Sequence, residues 1–313
     1  MKNPKRAAYL LAIVMLLAFT ACGGQNAPGS SSAPPPEDPS ITVTDMMGRR
    51  VTLDGPARRV VALSAADCEI LCALGAEETL VGRGEYCDYP PQVLEVPSVQ
   101  SGAQTNLEQI LALEPEVLIM DAMAQPKEQV EQLESAGVAV VVLSAQDIRG
   151  VYTAIEIIGE MTDRNEQAAF LIESMMTSFA DLQKKAEGQQ PGSIYFEVSP
   201  LEWGLWAAGS GTFMDEAAQL LGLENSFADV EGWAPISEEQ VLERDPDYIL
   251  TIAMYDGQGP TPEGEIAGRP GWENIAAVQN RAILNLPNDE LSRPGPRLVD
   301  GARMLYDFIY GAR

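Results

Sequence analysis

Between residues 165 and 187 apolar side chains return every three or four positions, at Ala168, Leu171, Ile172, Met175, Phe179, Leu182 and Ala186, with no Gly or Pro among them. That period predicts one amphipathic helix. At 1.5 Å per residue it would be about 35 Å long, the diameter of a small domain. On either side the pattern changes to short β-branched runs alternating with helical periods. Two runs, 41–45 and 49–53, flank Met46-Met47-Gly48 as a hairpin. Strands are then predicted at 59–63, 80–82, 117–121 and 138–143, and helices at 67–74, 106–113 and 125–136. Beyond the long helix come strands at 193–198 and 248–253 and helices at 212–221, 237–244 and 296–310. Alternation of this kind predicts an α/β fold: two lobes of mainly parallel sheet flanked by helices, joined by one long backbone helix. The boundaries are 41–163 for the N-terminal lobe, 164–188 for the linker helix and 189–313 for the C-terminal lobe. Residues 255–270, rich in Gly, Pro and acids, read as a mobile loop near the cleft between the lobes.

The two lobes share a sequence. NLEQILALEPEVLI from Asn106 to Ile119 aligns without gaps on SEEQVLERDPDYIL from Ser237 to Leu250, and a second match places Glu69 and Gly75 on Glu216 and Gly222. The first alignment singles out Glu108 and Glu239. Each lies two residues after a good N-cap, where a carboxylate favours the helix terminus. One exposed acid per lobe at equivalent positions would also grip a cationic partner with matched spacing. Both explanations fit the sequence.

Lys2, Lys5 and Arg6 precede an apolar run from Ala7 to Phe19, too short to span a bilayer and followed by Thr20, Ala21 and Cys22. Residues 1–22 therefore read as an export signal, and small residues before a cysteine resemble the lipobox of bacterial lipoproteins, with Cys22 the lipidation site. Residues 23–40, rich in Gly, Ser and Pro, are a flexible tether. This arrangement places a folded body at the extracytoplasmic face of the cell membrane, lipid-anchored.

Charge and composition narrow the chemistry. With 20 basic and 46 acidic residues the formal charge is −26, which repels nucleic acid. There is no histidine, so Ser-His and Cys-His pairs are impossible, and neither a P-loop nor a complete GxGxxG is present. The chain is read as a non-enzyme without a resident cofactor or metal. Cys68 and Cys72, one helical turn apart, read as small buried hydrophobes rather than metal ligands, and with Cys87 they leave an odd thiol.

Several segments carry a resemblance: RRVVALSAADCEILCALGA, EYCDYPP, TNLEQILALEPEVLI, GSGTFMDEAAQLLGLENSF, APISEEQVLERDPDYIL and LSRPGPRLVDG. Spread over residues 41–311, they resemble the helical-backbone class of substrate-binding proteins that serve ABC importers of ferric siderophores, haem and cobalamin. The resemblance implies ligand capture between the lobes and docking of Glu108 and Glu239 onto arginines of a permease dimer, which works with an ATPase.

Loops at strand ends are where open α/β sheets bind ligands. In the first lobe these offer Ser64, Tyr86, Asp88 and the loop 101–105. In the second they offer Trp203, Trp206, Trp233 and Arg293. Indoles suit a planar or aromatic chelate, and Arg293 an acidic group; capping of the lobe by each tryptophan and a structural salt bridge for Arg293 are the alternatives. YCDYP resembles the YxDYP loop of cobalamin binders, so a corrinoid is the leading ligand. The loop before Asn106 lacks the aromatic those binders have there and the tyrosine of haem binders, which keeps a ferric siderophore in view and disfavours haem.

Overall fold

The computed structural model describes residues 40–102, 105–122, 127–190, 192–286 and 289–311. The expected signal segment, Cys22 and residues 23–39 of the tether lie outside the described residues, as do Ala103 and Gln104 of the 101–105 loop. Among the described residues no helix is long and apolar enough to cross a membrane.

The N-terminal half opens with an antiparallel hairpin, β1 (Ile41–Thr44) and β2 (Arg50–Leu53), turning at Gly48 with φ +76°. It continues through β3 (Val60–Ala62), α1 (Ala65–Ala73), β4 (Leu80–Gly84), β5 (Ser98–Val99), α2 (Leu107–Ala112), β6 (Val117–Asp121), α3 (Lys127–Ser135), β7 (Ala139–Leu143) and α4 (Ile148–Met161). The strands form a five-stranded sheet in the order β5-β4-β3-β6-β7, parallel throughout. The long helix is α5 (Asn165–Ala186), 22 residues. After it come β8 (Ser193–Ser199), β9 (Trp206–Ala208), α6 (Phe213–Leu220), β10 (Glu224–Asn225), β11 (Trp233–Pro235), α7 (Glu238–Arg244), β12 (Tyr248–Thr251), α8 (Pro262–Ala267), α9 (Ala276–Gln279), β13 (Ile283–Asn285) and α10 (Leu298–Tyr310). This second sheet runs β11-β9-β8-β12-β13, with β10 paired to the start of β8. β8, β12, β13 and β10 are parallel; β9 and β11 add an antiparallel ribbon. The fold is the expected α/β arrangement of two lobes joined by a backbone helix.

Strand alternation sorts the apolar residues into layers. Val60, Ala62, Val117, Ile119, Val141 and Leu143 of the first sheet join Ile194, Phe196, Ala208 and Leu250 of the second, with α1, α4, α5, α6 and α10, in one continuous core. The alternate residues face outward into separate layers: Val61, Leu118, Val140 and Val142 under Ile110 and Leu133 on one lobe, Tyr195, Ala207 and Ile249 under Val241 and Trp272 on the other. The central core is shared, because α4, α5, α6 and α10 fill the space between the sheets.

The internal repeat is structural as well. Asn106 and Ser237 cap α2 and α7, each side chain accepting the backbone N–H three residues on, from Gln109 and Gln240. The first buried residues, Ile110 and Val241, enter equivalent outer layers. Both helices end in a left-handed residue before proline, Glu114 with φ +47° and Asp245 with φ +42°. Leu118 and Ile249 then face out, while Ile119 and Leu250 face in.

Four expectations need correction. The helix α4 is absent from the sequence reading, although Asp147 caps it by accepting the Gly150 N–H and Ile148, Val151, Ile155 and Ile158 repeat with a helical period. Trp206 and Trp233 sit in β9 and β11 rather than in loops, because the ribbon pairs Trp206 with Pro235 and Trp233 with Ala208. The segment 255–270 is not a loop throughout. Thr261 caps α8 with Pro262 in its first turn, and Ile266 and Arg269 are buried. Of the thiols, Cys68 is fully buried but Cys72 only half-buried.

Candidate functional site

Where the strands of both sheets end, a cavity of about 330 Å³ opens between the lobes. Asp121 ends β6, Ala145 and Gln146 follow β7, and these meet Val198 near the end of β8, Phe213 and Met214 at the start of α6, Trp233 of β11, and Ser292 and Pro294. Strand ends supply the wall for a topological reason: parallel β–α units put the loops of successive strands on one side. The Trp233 indole N–H donates to the Gln146 side-chain oxygen at 2.8 Å, and its ring lies 5.1 Å from that of Phe213. One indole therefore touches both lobes.

A second hollow of about 460 Å³ shares Val198 and Ile252 with the first and runs along the C-terminal lobe past Trp203, Tyr255, Glu202 and Asp256. Trp203 is 74% exposed, the most exposed indole among the described residues. At the base, Arg269 forms a two-pronged pair with buried Glu197, at 2.7 and 2.9 Å, and a second pair with Glu265. Burial pushes the Glu197 carboxyl up, against the hydrogen bond and charge of Arg269. Its arginine is thus fully engaged in fixing β8 to α8.

Arginine is engaged at the rim as well. Arg293 donates to Asp88 at 2.7 Å, to Glu69 at 3.2 Å and to the Tyr86 carbonyl at 3.3 Å, and it pairs with Asp289 at 2.7 Å. Arg297 grips both oxygens of Glu69, at 2.7 and 2.9 Å, reaches Glu290, and lies 4.0 Å above the Tyr89 ring. Glu69 on α1 and the loop after β4 are thereby latched across the lobe boundary to the segment before α10. Burial raises the Asp88 carboxyl, but the hydrogen bond and charge of Arg293 outweigh it and hold that group below its ordinary value. The Gly84–Asp88 turn is positioned from beneath by buried Arg83, which donates to the Cys87 carbonyl at 2.9 Å.

Among the expected site residues, Tyr86, Asp88 and Arg293 come together at this latch, Trp233 lines the cavity and Trp203 the adjoining hollow. Trp206, 39% exposed, borders neither, and Ser64, at the N-cap position of α1 without a capping side-chain bond, hydrogen-bonds the Asp67 carboxyl. Arg293 makes ion pairs with Glu69, Asp88 and Asp289, as the salt-bridge alternative would have it, beside its expected role toward an acidic ligand. Sequence reasoning missed Gln146, Glu69, Arg297 and Asp67. Gln146 follows a strand and was open to the same rule that selected Ser64. Asp67 is buried, with one carboxyl oxygen lacking a hydrogen-bond partner among the described residues. Burial and then the charge of Asp121 push it up to about 8, against the Ser64 hydrogen bond.

Glu108 and Glu239 are both exposed, on α2 and α7 over the outer layers. A hydrogen bond from its own backbone N–H, followed by one from the Ser237 side chain, holds the Glu239 carboxyl below its ordinary value.

A family model described as "Periplasmic binding protein" matches residues 60–290, through both sheets and the cavity between them. The chain belongs to the periplasmic binding protein family. Its relatives there include an uncharacterized ABC transporter substrate-binding lipoprotein, YvrC, of Bacillus subtilis strain 168, 30% identical over 97% of this chain and 96% of that one. The vitamin B12-binding protein of Salmonella typhi is 29% identical over 80% of this chain and 89% of its own. Among solved members, a possible iron-binding (periplasmic solute-binding) protein of Staphylococcus epidermidis is 29% identical, with a TM-score of 0.71 over 81% of this chain and 99% of that one. These names describe binding proteins, as the helical-backbone resemblance of the motifs implies.

Proposed function

We propose that this chain is the lipid-anchored, extracytoplasmic binding component of an ABC importer, lobes 41–163 and 189–313 closing on a metal chelate, with a corrinoid as first choice. The observation that carries the reading is the cavity walled by both lobes and bridged by Trp233. An indole at the seam supplies a flat apolar surface for a large ring. The names of its relatives, a substrate-binding lipoprotein of an ABC transporter and a vitamin B12-binding protein, support the role and the ligand class.

Charge refines the choice. Arg269, Arg293 and Arg297 are each paired with two or more carboxylates, while Glu202 and Asp256 line the adjoining hollow. A chelate carrying carboxylates or catecholates would meet acids, and among the described residues no arginine or lysine lines either hollow, which favours a neutral or cationic one. Corrinoids and ferric hydroxamates fit; haem, with two propionates, fits poorly. A ferric siderophore is the second reading, favoured by the similarity to the staphylococcal protein named as possibly iron-binding.

Titration of the protein with cyanocobalamin, a ferric trihydroxamate and haem, followed by tryptophan fluorescence, tests this. Quenching by the first at micromolar concentration or below is expected, since Trp233 and Trp203 lie in the hollows. Flat titrations with all three would remove the reading. For delivery, we expect Glu108→Ala with Glu239→Ala to leave ligand affinity unchanged and to abolish uptake. Loss of affinity in that variant would assign the two acids to the cleft or the fold.

A further inference from the structure

Cys68 and Cys87 take no part in the cleft, and both side chains are fully buried. Cys68 lies on the inner face of α1; Cys87 closes the turn after β4. Their thiols converge on one acceptor, the Ala62 carbonyl at the end of β3, at 3.7 and 3.8 Å. A hydrogen bond between the two side chains is the first cause, ahead of burial, of the Cys68 thiol standing well above its ordinary value. The third thiol differs. Cys72 is half-buried one turn along the helix, and burial pushes it up to about 11.

We propose that Cys68 and Cys87 close a disulfide when the chain folds in an oxidising compartment, and that this bond fixes the Tyr86–Tyr89 loop to α1. The oxidant is a disulfide, either a small one such as oxidised glutathione or that of a thiol oxidoreductase. The Cys87 thiolate attacks it and expels one thiolate; the Cys68 thiolate then attacks the mixed disulfide and expels the second. Two cysteine protons and two electrons leave with the two reduced thiols, and one S–S bond is exchanged for another. Both sulfurs are shielded from solvent once the core has formed, so exchange belongs to the unfolded or partly folded chain. The bond state set during folding therefore persists.

Position gives the bond its meaning. Glu69, one residue after Cys68, and Asp88, one residue after Cys87, are the two N-terminal-lobe acids that Arg293 joins, Asp289 being its third. A bond between the cysteines holds the two carboxylates at the spacing the arginine reads. The inference is independent of which ligand is bound and needs export only as the source of an oxidant.

The test uses the full chain, denatured and refolded with oxidised and reduced glutathione, alkylated, digested without reductant and mapped by mass spectrometry. The expected product is a Cys68–Cys87 peptide pair two hydrogens lighter than its free components, with Cys72 alkylated. Cys72→Ser retains the pair and Cys87→Ser loses it. Refolding under reductant lowers Tm by about 5–10 °C. A Cys68→Ala, Cys87→Ala double variant, the control for core packing, shows no effect of reductant. Alkylation of both Cys68 and Cys87 after oxidative refolding, linkage through Cys72, or equal sensitivity of the double variant to reductant would overturn the proposal.

Discussion

Glu69 on α1 and Glu216 on α6 occupy matching places in the repeated sequence, each six residues before a glycine of positive φ, and both reach across to the other lobe. Their partners differ in kind. Glu69 is 4% exposed and takes charged hydrogen bonds from Arg293 and Arg297, more than two hundred residues away in sequence. Glu216, less deeply set, accepts one backbone N–H, that of Ile148 at the start of α4, at 2.7 Å. Burial pushes the Glu216 carboxyl up, against that hydrogen bond. The repeat preserves an acid that crosses the boundary; the opposing loop decides whether it meets a cation or an amide.

The difference should be visible in energies. Glu69→Ala removes the buried carboxylate that Arg293 and Arg297 share, leaving Arg293 with Asp88 and Asp289 and Arg297 with Glu290, and is expected to cost about 3 kcal/mol, the low end for breaking a buried pair. Glu216→Ala removes one hydrogen bond and should cost about 1–2 kcal/mol. Urea denaturation of both variants compares them, and equal losses would erase the distinction drawn here.

Asp67, beside Glu69 on the same helix, sharpens the comparison through pH. Its carboxyl is pushed up to about 8 in the folded state, above the ordinary 3.8, so the native chain binds the extra proton between those values. Its contribution is fully present below pH 4 and is lost as pH rises toward and through 8. Wild type should thus lose about 1.4 kcal/mol for each pH unit crossed within that window relative to Asp67→Asn, whose stability should be the flatter of the two. A parallel pH dependence for both proteins would place the carboxyl in an ordinary environment.

Smaller effects should match between lobes. Glu114→Gly and Asp245→Gly each relieve left-handed backbone at equivalent helix ends, worth about 0.5–1 kcal/mol, but Asp245→Gly also gives up the carboxylate that accepts the Ala276 N–H at 2.7 Å, so its net gain should be the smaller. Opposite signs in thermal melts would mean that the two turns are not equivalent.

Much of this fold was legible because its signals are local. Asn106, Thr212 and Ser237 announced helix starts, Gly75 and Gly222 announced stops, and β-branched runs marked the central strands. The antiparallel ribbon was less legible: three-residue strands such as β9 and β11 acquire their identity from pairing rather than from a repeating pattern. The site divided in the same way. Trp233 and Asp88 were singled out by strand-end position, but nothing near Arg293 in sequence reveals that Glu69 waits 224 residues earlier. A side chain apt for an anionic ligand and one apt for an internal carboxylate look identical until the chain has folded.

The shared central core bears on how the molecule melts. Because residues from Val43 to Ile309 belong to one apolar interior, neither half can lose its order while leaving the other's inner face covered. Heating should therefore give a single endotherm in which calorimetric and van't Hoff enthalpies agree, despite the presence of two separate β-sheets.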